Sequence, residues 1–321
     1  MKKIVLIIVI ILIAGIASIA GYLKFVLPDI DNAPDLTVEI TPERIKRGEY
    51  LANHVTACMD CHSTRDWTVF SGPLENGTLG KGGEYFGQEM GFPGKFYSKN
   101  LTPVNLRNWT DGEIFRTITT GVDKNGKALF PVMPYLNYGK MDKEDIYDII
   151  AYIRTLQPIE NTIPQSHPDF PMNFIINTIP AKAQFVKKPE KIDVINYGAY
   201  LVNAAACMDC HTQVDKGQII PDLAFSGGRI FETPFGVIRS ANITPDFNTG
   251  IGAWTEDGFI QHFKMYTDPT KIAGINPKEF NTIMPWTMYG EMDSTDLKSV
   301  YAYLMTLKPI ENKVEHFTPI R

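Results

Sequence analysis

The sequence predicts an all-α protein in which two tandem helical domains of one fold follow an N-terminal transmembrane helix. Three observations carry that expectation. The pentapeptide Cys58-Met59-Asp60-Cys61-His62 recurs unchanged as Cys207-Met208-Asp209-Cys210-His211. The sequence around it recurs as well, so the chain reads as a duplicated unit of roughly 120 residues, near the usual size of a domain. Ahead of both copies lies an uncharged apolar run, Ile4–Leu23.

The repeated pentapeptide carries the chemistry. C-x-x-C-H is the pattern of covalent c-type haem attachment. Two thiols on one helical turn can each add to a vinyl group of the porphyrin, and the adjoining imidazole reaches the iron from one face as proximal ligand. Cys58, Cys61, Cys207 and Cys210 are the four cysteines of the chain, so none is left over for a disulfide. A redox thiol pair or half of a zinc site also uses C-x-x-C. Neither needs a His directly after the second Cys in both copies, and a four-Cys zinc site would have to join segments from opposite ends of the chain. The expectation is two covalently bound haem c groups, with His62 and His211 on the irons.

The apolar run follows Lys2 and Lys3. About 20 apolar residues cross a bilayer as a helix, whereas a secretory signal has an apolar region of about 7–15 residues. Residues 1–27 are therefore expected to be a single-pass anchor, with a signal peptide cleaved near Ser18-Ile19-Ala20 as the alternative. The lysines place the N-terminus in the cytoplasm and the remainder outside. The 321 residues carry a formal net charge of −5, which argues against nucleic acid as a partner.

Residues 28–40 read as a tether and 41–161 as the first domain. Thr41-Pro42 opens a helix, with Thr as N-cap and Pro at the first helical position. Gly48 on this helix is expected to let Tyr152 of the domain's final helix approach, and Gly198 and Tyr303 to repeat the contact. Residues 63–105 are rich in Gly and turn residues and read as loop with short hairpins. Asn76, Asn100, Asn108 and Asn242 head glycosylation sequons, read as coincidental. Thr110 and Glu113 form a capping box, with Trp109 stapling onto Ile114. Thr255 caps the matching helix, with Trp254 stapling onto Phe259. Asp142 and Asp293 are read as N-caps of the two final helices, followed by Asp145 and Asp296.

Downstream comes Met-Pro in both halves, Met133-Pro134 and Met284-Pro285. A thioether suits the iron of an electron carrier, and Pro, lacking an N–H, suits a loop without regular structure. Met133 and Met284 are thus the expected distal ligands. Met141 and Met292 match across the repeat too, but each is placed to staple onto the final helix. Met59 and Met208 lie inside the haem motifs, and His54 and His262 lack counterparts in the other half.

Residues 162–190 form a Pro-rich linker whose apolar run Phe170–Ile179 is expected to pack at the domain interface. The second domain spans 191–312 and a polar tail 313–321. The halves align at Arg47–His62 against Tyr197–His211, with one extra residue in the first. They align again at Phe70–Pro73 with Phe225–Gly228, at Asn100–Pro103 with Asn242–Pro245, and without gaps at Val132–Asn161 with Ile283–Asn312.

The segments around Tyr197–His211, Phe225–Gly228, Glu232–Thr255, Met284–Asp293 and Tyr301–Ile310 resemble the cytochrome c subunits of bacterial membrane-bound alcohol, aldehyde and gluconate dehydrogenases. The likeness recurs more weakly over Arg47–Ile159. It implies two class I cytochrome c domains with His/Met haems, at the outer face of the bacterial inner membrane on the periplasmic side. It also implies electron delivery toward a respiratory chain. Subunits of that family usually carry three haem motifs, against two here.

The expected function is a membrane-anchored dihaem carrier, not an enzyme. It relays electrons between a dehydrogenase or quinol-oxidising donor and a respiratory-chain acceptor. Its partners are redox proteins and the membrane, with no small-molecule substrate. The alternatives are a dihaem peroxidase, which needs a displaceable position on one iron, and a haem-bearing subunit of a larger respiratory complex.

Overall fold

The structure is a computed structural model and describes residues 1–276 and 279–319. Helix α1 (Lys2–Phe25) is apolar along its length and has no buried residue. That composition fits a membrane anchor.

The first half contains α2 (Pro42–Tyr50), α3 (Cys58–His62), α4 (Pro103–Leu106), α5 (Asp111–Thr120), α6 (Tyr135–Tyr138) and α7 (Lys143–Ile153). After α8 (Met172–Ile175) the second half follows with α9 (Val194–Ala204), α10 (Cys207–Cys210), α11 (Glu256–Lys264), α12 (Trp286–Tyr289) and α13 (Ser294–Leu304). Helix starts fall where the caps place them. Thr41 Oγ1 accepts from Arg44 N at 3.3 Å. Thr110 and Glu113 complete a reciprocal box at 3.1 and 2.8 Å, and Thr255 Oγ1 accepts from Gly258 N at 3.0 Å. Asp142 caps α7 through Glu144 N at 3.0 Å, but Asp293 makes no side-chain cap on α13.

Helix α2 crosses α7, and α9 crosses α13, at glycine. A Cβ on Gly48 would fall on the Asp148 carbonyl and within 2.9 Å of Tyr152 Cβ. A Cβ on Gly198 would fall on the Ser299 carbonyl and within 2.9 Å of Tyr303 Cβ. Helices this close gain dispersion contact along the whole crossing. The extra residue of the first half is absorbed just after Tyr50. Residues Leu51–Val55 form a π-helical turn, closed by Thr56 N to Leu51 O at 2.8 Å. The matching bond of the second half, Ala205 N to Leu201 O at 2.8 Å, is one residue shorter. A single-residue insertion widening one turn is a common origin of such turns.

The fold is not all-α. It is 41% helical with 9% strand. Strands β1 (Tyr85–Phe86), β2 (Gly94–Tyr97) and β3 (His167–Pro168) form one antiparallel sheet. Strands β4 (Val214–Asp215) and β5 (Gln218–Ile219) form a hairpin, and β6 (Ile230–Thr233), β7 (Gly236–Arg239) and β8 (Phe317–Pro319) a third small sheet. The physical reason is backbone satisfaction. The long stretches after each His have no helix to pair their amides, so they fold back on themselves. The third strand comes from chain read as linker in one half and as tail in the other. Strands of two to four residues leave too little alternation to be read in a sequence.

A single hydrophobic core runs through both halves, from Val38 and Leu51 to Leu297 and Leu304. Across it the halves exchange matched contacts. Tyr50 OH donates to Asp296 Oδ2 at 2.8 Å and accepts from Asp293 N at 3.1 Å. Tyr200 OH donates to Asp145 Oδ2 at 2.8 Å and accepts from Asp142 N at 3.1 Å. Such reciprocity is the signature of a two-fold interface, here between halves of one chain. The end of the linker joins this interface, with Lys188 Nζ 2.7 Å from Asp145; Lys191, the first residue of the second half, lies 2.7 Å from Asp296. The run from Phe170 does not join it; it turns toward the end of α1, where Asn177 donates to Leu23 O at 2.9 Å.

Candidate haem sites

Each pentapeptide forms a single helical turn entered through a left-handed alanine, Ala57 at φ 47° and Ala206 at φ 52°. This reversal starts the turn that carries both thiols and the imidazole. Burial raises the Cys207 thiol to about 12 and the Cys210 thiol to about 11. It raises Cys58 and Cys61 as well. Cys210 reaches the surface yet remains surrounded by enough protein to feel the effect. Thiols held protonated in this way lack the thiolate character of a redox pair.

The two histidines are held alike. His62 Nδ1 lies 2.6 Å from the Lys99 carbonyl, and His211 Nδ1 lies 2.8 Å from the Ala241 carbonyl. A carbonyl can only accept, so Nδ1 carries the proton and donates in both rings. Nε2 is left with its lone pair, the tautomer a metal ligand needs. Burial lowers the pKa of both imidazoles, which keeps them neutral. Lys99 and Ala241 are equivalent positions, each directly before an Asn-x-Thr-Pro segment. That segment is itself buried. Asn100 accepts from Thr102 Oγ1 at 2.7 Å and donates to Ile159 O at 2.8 Å; Asn242 accepts from Thr244 Oγ1 and donates to Ile310 O, both at 2.7 Å. These two sequons are therefore internal clamps that hold the His-supporting strand against the chain beyond the last helix.

The structure corrects one alignment within the repeat. Gly82 N donates to His62 O and Gly227 N to His211 O, both at 2.8 Å. Gly82–Gly83 is thus the counterpart of Gly227–Gly228, and both glycines under the histidines have positive φ, 66° and 71°. A Cβ at either would strike the backbone at Lys99 or Ala241. Among the described residues the Phe70–Pro73 segment has no equivalent in the second half, and it belongs to a longer loop.

Met133 and Met284 are partly buried and pack on the core. Their surroundings match. Pro134 and Pro285 have φ −78° and −79° with ψ 55° and 63°, and both methionine carbonyls accept from the amide two residues on at 2.8 Å. Tyr138 OH donates to Thr56 O and Tyr289 OH to Ala205 O, each at 2.9 Å. Each Met segment is thereby tied to the turn before the Cys motif of its own half. The sequence held this signal in the repeated Tyr-Gly after Met-Pro. Met141 and Met292 are buried in the core, and Met59 is fully buried while Met208 is exposed. His54 lies at the interface, its Nδ1 3.2 Å from Met288 O, and His262 packs among Trp254, Tyr266 and Trp286.

The two Met segments differ in one respect. The first-half loop at 65–73 crosses to the second. Ser71 Oγ donates to Met284 O at 2.7 Å and accepts from Trp286 N at 3.0 Å, while Ser71 N donates to Asn281 Oδ1 at 2.8 Å. Arg65 shapes this loop by donating to Gly72 O and Ser71 O at 2.9 and 2.7 Å and by pairing with buried Asp60 at 2.9 Å. The second motif is also reached from the other half, through Asn137 to Asp209 at 2.7 Å.

Paired thiols, a neutral imidazole with Nε2 available and a thioether in each half form a donor set that fits a covalent His/Met haem. Residues 195–308 match the cytochrome c family. The fructose dehydrogenase cytochrome subunit of Gluconobacter japonicus is 28% identical over 68% of this chain and 44% of its own. The cytochrome c subunit of the quinone-dependent alcohol dehydrogenase of Gluconobacter oxydans is 25% identical over 68% and 46%. The gluconate 2-dehydrogenase cytochrome c subunit of Pantoea cypripedii is 27% identical over 78% and 55%. The chain thus spans about half the length of these curated relatives. It carries a segment, residues 195–308, that matches the cytochrome c family, and it is similar to the cytochrome c subunits of membrane dehydrogenases.

Proposed function

We propose that the chain binds two haem c groups, one in each half (41–161 and 191–312), and relays electrons between them. Cys58 and Cys61 hold the first haem and Cys207 and Cys210 the second. His62 and Met133 flank one iron, His211 and Met284 the other. The protein is anchored by α1 in a bacterial inner membrane, with both haem-bearing halves on the periplasmic side. It takes electrons from a dehydrogenase or quinol-oxidising donor and passes them to a respiratory-chain acceptor.

The observation that carries this reading is the matched pair of imidazoles, each with Nδ1 committed to a backbone carbonyl. Bound haem iron supplies a one-electron couple. The chain's part is to keep each His in one tautomer, hold each Met segment by a buried tyrosine, and keep the halves in fixed register through Tyr50 and Tyr200. A pyridine haemochrome assay on denatured protein should give two c-type haems per chain. One haem, or none, would refute the assignment.

A further inference from the structure

The chain between the halves presents a surface that the relay leaves unused. Phe170 is 80% exposed, Phe174 40% and Ile175 41%. The two phenylalanine rings meet edge-on with centroids 6.2 Å apart. A soluble linker gains nothing from exposing such side chains together, and only Ile176 of this stretch is buried.

Its position explains it. The Asn177 side-chain amide donates to the carbonyl of Leu23 in the last turn of α1. That carbonyl is among those a helix end leaves without an internal partner, so the bond sets the segment level with the end of the anchor. Tyr22, Phe25 and Val26 are exposed at the same end. Exposed apolar side chains about 150 residues apart in sequence are therefore brought to the same end of α1, where a membrane-spanning helix would leave the hydrocarbon. Charges rim this patch: Lys182 pairs with Asp31 at 2.9 Å, and Asp169 accepts from Gln88. An apolar patch with aromatic rings at the core boundary and charges above it is what a bilayer interface accepts.

We propose that residues 170–175 lie in the outer interface of the bilayer as a second membrane contact beside α1. The proposal rests on reading α1 as a bilayer span. Its consequence is orientation. Strand β3 directly precedes the patch and pairs with β2, whose Phe96 stacks on Phe130 at 4.5 Å, three residues before Met133. The first half is then held at a set angle over the membrane instead of swinging on residues 28–40.

The test uses purified full-length protein in phosphatidylcholine/phosphatidylglycerol nanodiscs, with single Phe170→Cys, Phe174→Cys, Ile13→Cys and Asp222→Cys variants. Each is reacted with a water-soluble maleimide, subtracting the parent protein. Asp222 is exposed and reports water; Ile13 reports the anchor. Phe170→Cys and Phe174→Cys should react about tenfold more slowly than Asp222→Cys, because the reacting thiolate is suppressed in apolar surroundings. The protein alone leaves position 170 open, and no partner is present, so slow reaction there means lipid. Reaction as fast as Asp222→Cys overturns the proposal. In that event slow Ile13→Cys leaves the anchor standing, and fast Ile13→Cys removes the anchor as well.

Discussion

Replacing Ser71 by Gly should loosen the Met284 segment, although Ser71 belongs to the other half of the molecule. Ser71 is fully buried and sits at φ 65°. Its hydroxyl makes two hydrogen bonds, to Met284 O and from Trp286 N. Each neutral bond contributes about 1 kcal/mol, and neither partner is left bare, because Trp286 N still donates to Met284 O. Glycine returns roughly 1 kcal/mol by removing the cost of a left-handed side-chain-bearing residue. Its amide still donates to Asn281. The net loss is about 1 kcal/mol, confined to the segment, or about a fivefold rise in its open population. Cyanide binding to the oxidised protein, followed in the Soret band, reads this directly. With a haem in each half as proposed, one kinetic phase should accelerate about fivefold and the other, from the first half, should not change. Two unchanged phases, or two that accelerate equally, would refute the idea that the 65–73 loop holds Met284.

Other perturbations test the frame. Gly48→Ala and Gly198→Ala should each lower the melting temperature. Overpacking costs about 1–3 kcal/mol, and a clash with backbone belongs at the upper end, beyond the roughly 1 kcal/mol that alanine returns to a helix. Tyr200→Phe should cost about 1.5–3 kcal/mol in urea unfolding, because the hydroxyl serves a buried carboxylate. Tyr50→Phe should match it if the two-fold interface is balanced. Acid should destabilise the fold through Asp145. Burial alone would raise that carboxyl, but Arg47 and Lys188 outweigh it and hold the pKa below the usual range. A carboxyl depressed on folding stabilises above its unfolded pKa of about 3.9 and loses that contribution as pH falls through the folded value. Urea midpoints should therefore fall below about pH 4, and less steeply in Arg47→Gln.

The attachment motif is legible in the sequence because it is local. Two thiols and an imidazole on one turn need no distant residue to be recognised, and duplication singles out Met133 and Met284 as the candidates among the methionines. Capping residues act within four positions, so Thr41, Thr110 and Thr255 marked their helices. The crossing glycines were readable for the same reason that they are glycine: no other residue fits there. What the tertiary structure decided depends on backbone and on distance along the chain. The sheets arise because amides beyond each His must find partners, and strands of two to four residues leave no periodicity to read. Asp145 and Asp296 do lie in the first turns of α7 and α13, and only the tertiary structure makes them buried acceptors for tyrosines of the opposite half. The Asn100 and Asn242 sequons, read as coincidental, are internal clamps. The Phe70–Pro73 segment matched a motif by letters, yet its side chains close on Met284 more than 200 residues away. A hydrogen bond depends on where two groups finish in space, and only the assembled core brings Ser71 to that carbonyl.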